Sequence, residues 1–289
     1  MSITFTDLKN RILLSALFLL AAGVLVFYSY YPAVEFFITL LVIAIGSIGV
    51  WEFSNFCKMK KFSVNSNLMI LFTALEIFSI YLSGLFTWAA EFPIAVLLLA
   101  IFTFSFMRFQ EVNDAIATIS VQFFSICYIA VPLGLMIKVL YPALSSHFDI
   151  RDGRMWFVYL IAITKITDVG AYFGGKLLGR KKLAPILSPG KTIEGAICGF
   201  VVAIGASLLF SILGQHLPEA LFDLPFINAF FLGAALSLAG QMGDLSESLL
   251  KRDARIKDSN SLPGLGGVLD MFDSLLFSIP ILFFYLYTV

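Results

Sequence analysis

The sequence predicts an all-α, polytopic integral membrane protein of about nine transmembrane helices with a cytoplasmic N-terminus. Three observations carry this reading. The first is composition: of 289 residues, 60% are hydrophobic, 13% are charged and 31 are Phe, and the mean hydropathy is +0.94. Such values belong to chains whose helices face lipid. The second is length: the apolar residues gather in runs of roughly 20, enough to cross a hydrocarbon core of about 30 Å. The third is charge placement. Of the 19 Lys and Arg residues, all but Lys138, Arg151, Arg154 and Lys165 fall on alternate connections. Cytoplasmic connections carry the excess of Lys and Arg, which puts the N-terminus inside and the C-terminus outside.

The runs are read in order at 12–31, 33–56, 66–86, 88–108, 115–141, 155–175, 192–214, 226–250 and 269–288. Lys9 and Arg11 precede the first run, which lacks a small-residue cleavage site and so reads as a retained span. The second run ends at Lys58, Lys60 and Lys61, and the fourth at Arg108. The second and fifth runs are long enough to tilt or to extend past the bilayer. Glu76 in the third run is the main embedded acid of the first half. Residues 1–110 therefore read as a transmembrane scaffold, 111–154 as a central transmembrane segment with an outer loop, and 155–289 as a third transmembrane domain, expected to be the catalytic one on the motifs described below.

Some chemistries are excluded early. Three scattered cysteines, Cys57, Cys127 and Cys198, form neither a disulfide framework nor a zinc spacing. The two histidines, His147 and His216, fall in predicted outer loops, so a serine-type triad is not supported. A zero net charge offers no basic footprint for nucleic acid.

What remains is a small set of charges in an oily chain, and each embedded one costs about 3 kcal/mol unless something fixes it. The densest set is Gly243-Asp-Leu-Ser-Glu-Ser-Leu-Leu-Lys-Arg252, then Pro263-Gly-Leu-Gly-Gly267, then Asp270-Met-Phe-Asp273. Asp244, Glu247, Ser248 and Lys251 recur at helical spacing and line one face where the eighth run meets the cytoplasm. Asp270 and Asp273 open the ninth run, where acids also suit the helix dipole. Gly266 and Gly267 let backbone approach a ligand closely.

Two more constellations stand on the same predicted side. In Lys165-Ile-Thr-Asp-Val-Gly-Ala-Tyr-Phe-Gly-Gly-Lys176, residues Lys165, Asp168 and Tyr172 share a helix face, with Asp168 on the order of 10 Å from the end of the run. Asp168 is either an acid of a metal shell or the group that orients Lys165. Gly170, Gly174 and Gly175 serve either close helix contact or close phosphate approach. In Ser188-Pro-Gly-Lys-Thr192 a turn leads into the seventh run, whose N-terminal N–H groups suit a phosphate. The spacing of a Walker A loop is absent.

Carboxylates beside cations fit Mg²⁺ shared between protein and substrate phosphates, and two cations would polarise both the attacked phosphorus and the leaving group. The catalytic set expected is Asp168, Lys191, Asp244, Lys251 and Asp270. The phosphate-binding set is Lys165, Ser188, Lys191, Thr192, Ser248, Lys251, Arg252, Lys257, Gly266 and Gly267. The metal set is Asp244, Asp270 and Asp273.

These segments together resemble the phosphatidate cytidylyltransferase (CDP-diacylglycerol synthase) family. The resemblance rests on Asp168-Val-Gly-Ala-Tyr-Phe-Gly-Gly-Lys, Leu187-Ser-Pro-Gly-Lys-Thr-Ile-Glu-Gly, Gly243-Asp-Leu-Ser-Glu-Ser-Leu-Leu-Lys-Arg, Lys257-Asp258 and Leu262-Pro-Gly-Leu-Gly-Gly-Val-Leu-Asp270, and covers about 155–280. It implies a homodimeric enzyme of the bacterial inner (plasma) membrane that converts CTP and phosphatidate to CDP-diacylglycerol and pyrophosphate at the cytoplasmic face. It implies Mg²⁺ with a second cation such as K⁺, and acids matching Asp244, Asp270 and Asp273 around the metals.

The chain departs from the pattern at Leu265, where most relatives have His, and at Met271, where they commonly have Arg. It is also one residue short after Lys257-Asp258. An imidazole at Leu265 is thus not essential here. The rival enzyme is a CTP-dependent polyisoprenol kinase, which would release CDP. The rival from another class is an ion or anion transporter with Asp168 and Lys165 on its pathway.

Overall fold

The structure, a computed structural model, describes residues 20–108, 114–142, 152–217, 222–256 and 267–288. Its main helices are α1 (Pro32–Met59), α2 (Ser66–Leu85), α3 (Phe92–Phe106), α4 (Ala115–Leu140), α5 (Arg154–Leu178), α6 (Ile193–Gly214), α7 (Phe226–Asp253) and α8 (Val268–Thr288). Among the described residues all but α3 are long and apolar enough to cross a membrane. α3, with 15 residues, is shorter than the run read at 88–108. A 3₁₀ turn at Thr87–Ala89 uses up its start, and Pro93 then sets the first helical turn, where its missing N–H costs nothing. Of the first run, residues 12–19 lie outside the described residues and 20–27 are helical.

The chain forms two compact units, Met1–Leu41 and Val42–Val289. In the first, a turn joins residues 20–27 to α1, where the Glu35 N–H donates to the Tyr31 carbonyl at 2.9 Å. The second contains every described site residue.

Beside the helices, which make up the fold as expected, stands one short antiparallel hairpin, β1 (Lys182–Ala184) with β2 (Ser188–Thr192). Lys182 faces Thr192 and Ala184 faces Ser188, with an irregularity between. Both strands are too short and too polar for alternation to show in the sequence. The hairpin is tied to α6 at its base. The Ile193 N–H donates to the Lys181 carbonyl at 2.9 Å, and the Glu194 carboxylate accepts from the Arg180 and Lys181 N–H groups at 3.0 and 3.2 Å.

α5 and α6 approach closely because glycines line their crossing. A Cβ on Gly199 would stand 2.7 Å from the Thr167 carbonyl oxygen, and one on Gly195 would stand 2.6 Å from that of Ala171. Gly174 and Gly175 belong to the same contact, facing Cys198 and Gly195. Without an aqueous hydrophobic drive between membrane helices, such small residues and buried hydroxyls supply the cohesion. One hydroxyl chain links three helices: Tyr159 and Ser207 share a hydrogen bond at 2.6 Å, and Ser207 contacts the Ala229 carbonyl at 2.6 Å. Further along α5, Trp156 packs against Phe222 of the α6–α7 connection with ring centres 4.6 Å apart.

Contacts made by three basic residues and by Glu52 tie the helix ends and their connections together. Lys60 pairs with Asp253 at 2.8 Å, joining the ends of α1 and α7. Arg108 donates to Thr118 at 3.0 Å and to the Ser63 carbonyl at 3.3 Å. The Arg252 Nε donates to the Leu187 carbonyl of the hairpin at 3.1 Å. Glu52 of α1 reaches the start of α8. α1 and α7 stop alike: Lys61 and Arg255 take left-handed backbone, and the following N–H groups reach back to the Cys57 and Lys251 carbonyls at 3.0 and 2.9 Å.

Candidate active site

A cavity of about 450 Å³ opens between α5, the hairpin, the start of α6 and α7. Asp168, Tyr172, Gly175 and Lys176 line it from α5, Ser188, Lys191 and Thr192 from β2, and Gln241 and Asp244 from α7. α5 runs three residues beyond the run read at 155–175, so Asp168 lies about 15 Å from the helix end at 1.5 Å per residue. Its side chain is still 39% exposed, because the cavity admits solvent along that face.

Lys191 forms an ion pair with Asp244 across this space, and the two side chains are 27% and 33% exposed. Lys165 stands 3.8 Å from Asp168 on the same helix face. Asp168 also feels Asp244 and Lys191 electrostatically. Asp273 of α8 is buried and lies within electrostatic range of both Asp244 and Asp168. It comes close because Gly243 has no side chain: a Cβ there would stand 2.3 Å from the Asp273 carbonyl oxygen. The Asp273 carboxylate accepts from the Ser274 N–H at 2.5 Å.

A second charged cluster sits where α7 and α8 meet. The Lys251 ammonium lies 2.5 Å from Glu247, one turn back, and 2.7 Å from Asp270. Glu247 is 1% exposed, so its charge depends on that lysine. Beside the cluster, Glu52 accepts from the Val268 and Leu269 N–H groups, both at 2.9 Å.

The expected site residues therefore divide. Asp168, Lys191 and Asp244 share the cavity, with Ser188 and Thr192 on its wall. Thr192 spends its hydroxyl as the α6 N-cap, accepting from the Gly195 N–H at 3.1 Å. With the Ile193 N–H also bonded within the protein, Lys191 and Ser188 are the polar side chains that this wall still offers to the cavity. Lys251 and Asp270 belong to the second cluster. Arg252 holds the hairpin turn, Ser248 is half-buried on α7, and Gly267 is buried just ahead of α8. Lys257 and Gly266 lie outside the described residues, as does Leu265. Glu52 was not anticipated: a single acid inside a long apolar run carries no local pattern, and its partners lie 216 residues away.

The carboxylates fit a hydrated divalent ion. Asp168 and Asp244 offer hard oxygen donors to a solvent-open cavity, with Asp273 behind them. Among the described residues no three His, Cys, Asp or Glu side chains stand close enough to enclose an ion by themselves. Hard oxygen donors of this kind are the ones Mg²⁺ takes together with its waters and substrate phosphates.

Comparison with known proteins adds to this geometry. A profile described as the cytidylyltransferase family matches residues 9–289. The chain is 34% identical over 293 residues to a phosphatidate cytidylyltransferase of Chlamydia pneumoniae, spanning 98% of this chain and 92% of the relative. It is 34% identical over 292 residues to the phosphatidate cytidylyltransferase of Bacillus subtilis, spanning 97% and 98%. It is 30% identical over 300 residues to that of Haemophilus influenzae, spanning 98% and 99%.

Proposed function

The chain belongs to the cytidylyltransferase family, and on that premise we propose that it makes CDP-diacylglycerol and pyrophosphate from CTP and phosphatidate in the cavity beside Lys191 and Asp244. It is an integral membrane nucleotidyltransferase of phospholipid biosynthesis. The observation that carries the site assignment is the meeting of Lys191, Asp244 and Asp168, from three elements, in one solvent-open cavity. The reading includes a homodimer in the bacterial inner membrane with the cavity on the cytoplasmic side. Support for that side comes from the cations gathered at the same end of the helices.

The reaction is an in-line displacement. A phosphatidate phosphate oxygen forms a bond to the α-phosphorus of CTP, the bond from that phosphorus to the α,β-bridging oxygen breaks, and pyrophosphate leaves. An ionised phosphate is already a nucleophile, so positioning and charge neutralisation carry the catalysis. Lys191 exchanges its contact with Asp244 for a phosphate oxygen, and Lys176 and Ser188 contact the polyphosphate from the cavity wall. Lys165 keeps Asp168 oriented toward the cavity. Asp244 and Asp168, with Asp273 behind them, would hold Mg²⁺, which when bound neutralises charge on the triphosphate; a second cation such as K⁺ belongs to the same reading. Asp270 keeps Lys251 at the α7–α8 junction, where its remaining N–H groups serve the departing pyrophosphate.

Purified enzyme given CTP and phosphatidate is expected to release one pyrophosphate per CDP-diacylglycerol, and EDTA is expected to stop it. Release of CDP with a newly phosphorylated lipid alcohol would replace this reading with kinase chemistry.

A further inference from the structure

Glu52 sits in α1, yet both of its carboxylate oxygens are committed to α8, accepting from Val268 and Leu269 at 2.9 Å each. The residue is 1% exposed. A carboxylate buried among apolar helices carries a large desolvation cost. Here two N–H groups at the positive end of a helix dipole offset it. Asp270 lies in the same first turn and pairs with Lys251 at 2.7 Å. One turn further, the Asp273 carbonyl packs against Gly243, the neighbour of Asp244. Height and rotation of α8 therefore decide where Asp270 and Asp273 stand relative to Asp244.

We infer that Glu52 is a positioning residue for nucleotidyl transfer: a two-pronged cap, supplied by the N-terminal half, that sets the register of α8 against α7. The inference rests on the proposed function above. It has two consequences. Glu52 touches no substrate, so its loss lowers turnover without weakening CTP binding. It also fills the anion seat at the α8 N-terminus, so substrate phosphates meet lysine side chains rather than the N–H groups of that helix end.

The test uses the full-length enzyme in detergent with Glu52→Gln, which keeps the shape but turns an NH₂ group toward one of the two N–H donors. Displacements near 1 Å cost on the order of 100-fold in rate, so kcat is expected to fall about 100-fold while KM for CTP stays within about threefold. Hydrogen exchange at residues 268–273 is expected to accelerate, a readout independent of activity. Glu76→Gln, which removes another buried acid, on α2, is expected to leave kcat within about twofold. Glu52→Gln with wild-type kcat and wild-type exchange overturns the inference. A rise in KM with unchanged kcat also overturns it, since that marks substrate contact. If Glu52→Gln does not purify as a folded species, Glu52→Asp decides. A fall in kcat of about tenfold or more with unchanged KM supports the inference, and a wild-type kcat overturns it. Wild-type protein that forms no CDP-diacylglycerol refutes the enzymatic reading itself, and the inference falls with it.

Discussion

Asp244→Asn is expected to lower CDP-diacylglycerol formation by about 1,000-fold or more while the protein stays folded. Asp244 pairs with Lys191 in the open part of the cavity, with side chains one-third and one-quarter exposed. An ion pair in contact with water contributes only about 0–1 kcal/mol to stability, so the loss is one of chemistry. Asn keeps the volume of Asp244 but removes the charge that holds a cation and poises Lys191. Lys191→Met is expected to cost about 100-fold alone, and the double variant far less than the product of the two losses, because paired groups acting on one phosphate are not additive. Rates of product formation, set beside thermal unfolding in detergent, measure both quantities. Additive losses would place the two residues in separate tasks.

Lys251→Met is expected to produce the largest loss of stability, about 3–5 kcal/mol. The lysine neutralises Glu247, which is 1% exposed, and Asp270. Glu52 stands beside them at the head of α8. Without the cation three acids share one buried corner. Adding Glu247→Gln should recover much of the stability by removing the acid most dependent on that cation, but not the activity, since the Lys251 ammonium held by Asp270 is still missing. Unfolding midpoints of the single and double variants read the effect. A Lys251→Met midpoint equal to wild type would show that the cluster carries no net energy.

These expectations join features of unequal legibility in the sequence. Helix positions were readable because a bilayer demands about 20 apolar residues per crossing, and α2, α6 and α8 begin and end within about a residue of the runs read for them. α3 was shorter than its run because apolar composition continued through a 3₁₀ turn that hydropathy cannot register. The hairpin escaped because Lys182–Ala184 and Ser188–Thr192 hold too few residues for a period to show.

At the site, alternate connections placed Asp168, Lys191 and Asp244 on one side, and that topology brought them to one cavity. Pairing within that side was beyond the pattern. Which lysine meets Asp244 depends on the reach of the hairpin, and Asp270 turns to Lys251 through the rotation of α8. The glycines of α5 could have served helix contact or ligand approach; Gly170 and Gly174 pack against α6, while Gly175 does so and also lines the cavity. Glu52 was least legible, since its function lies in a partner 216 residues away.

The most direct measurement of the central claim, that substrate phosphates meet the protein in the cavity beside Lys191 and Asp244 on the cytoplasmic side, is alkylation of Ser188→Cys. Ser188 lines the cavity, and the background replaces Cys57, Cys127 and Cys198 with alanine. The account predicts labelling by a membrane-impermeant maleimide in inside-out vesicles and not in right-side-out ones, slowed about tenfold or more by saturating CTP with Mg²⁺. Labelling from the outer face, or labelling indifferent to CTP, would contradict it.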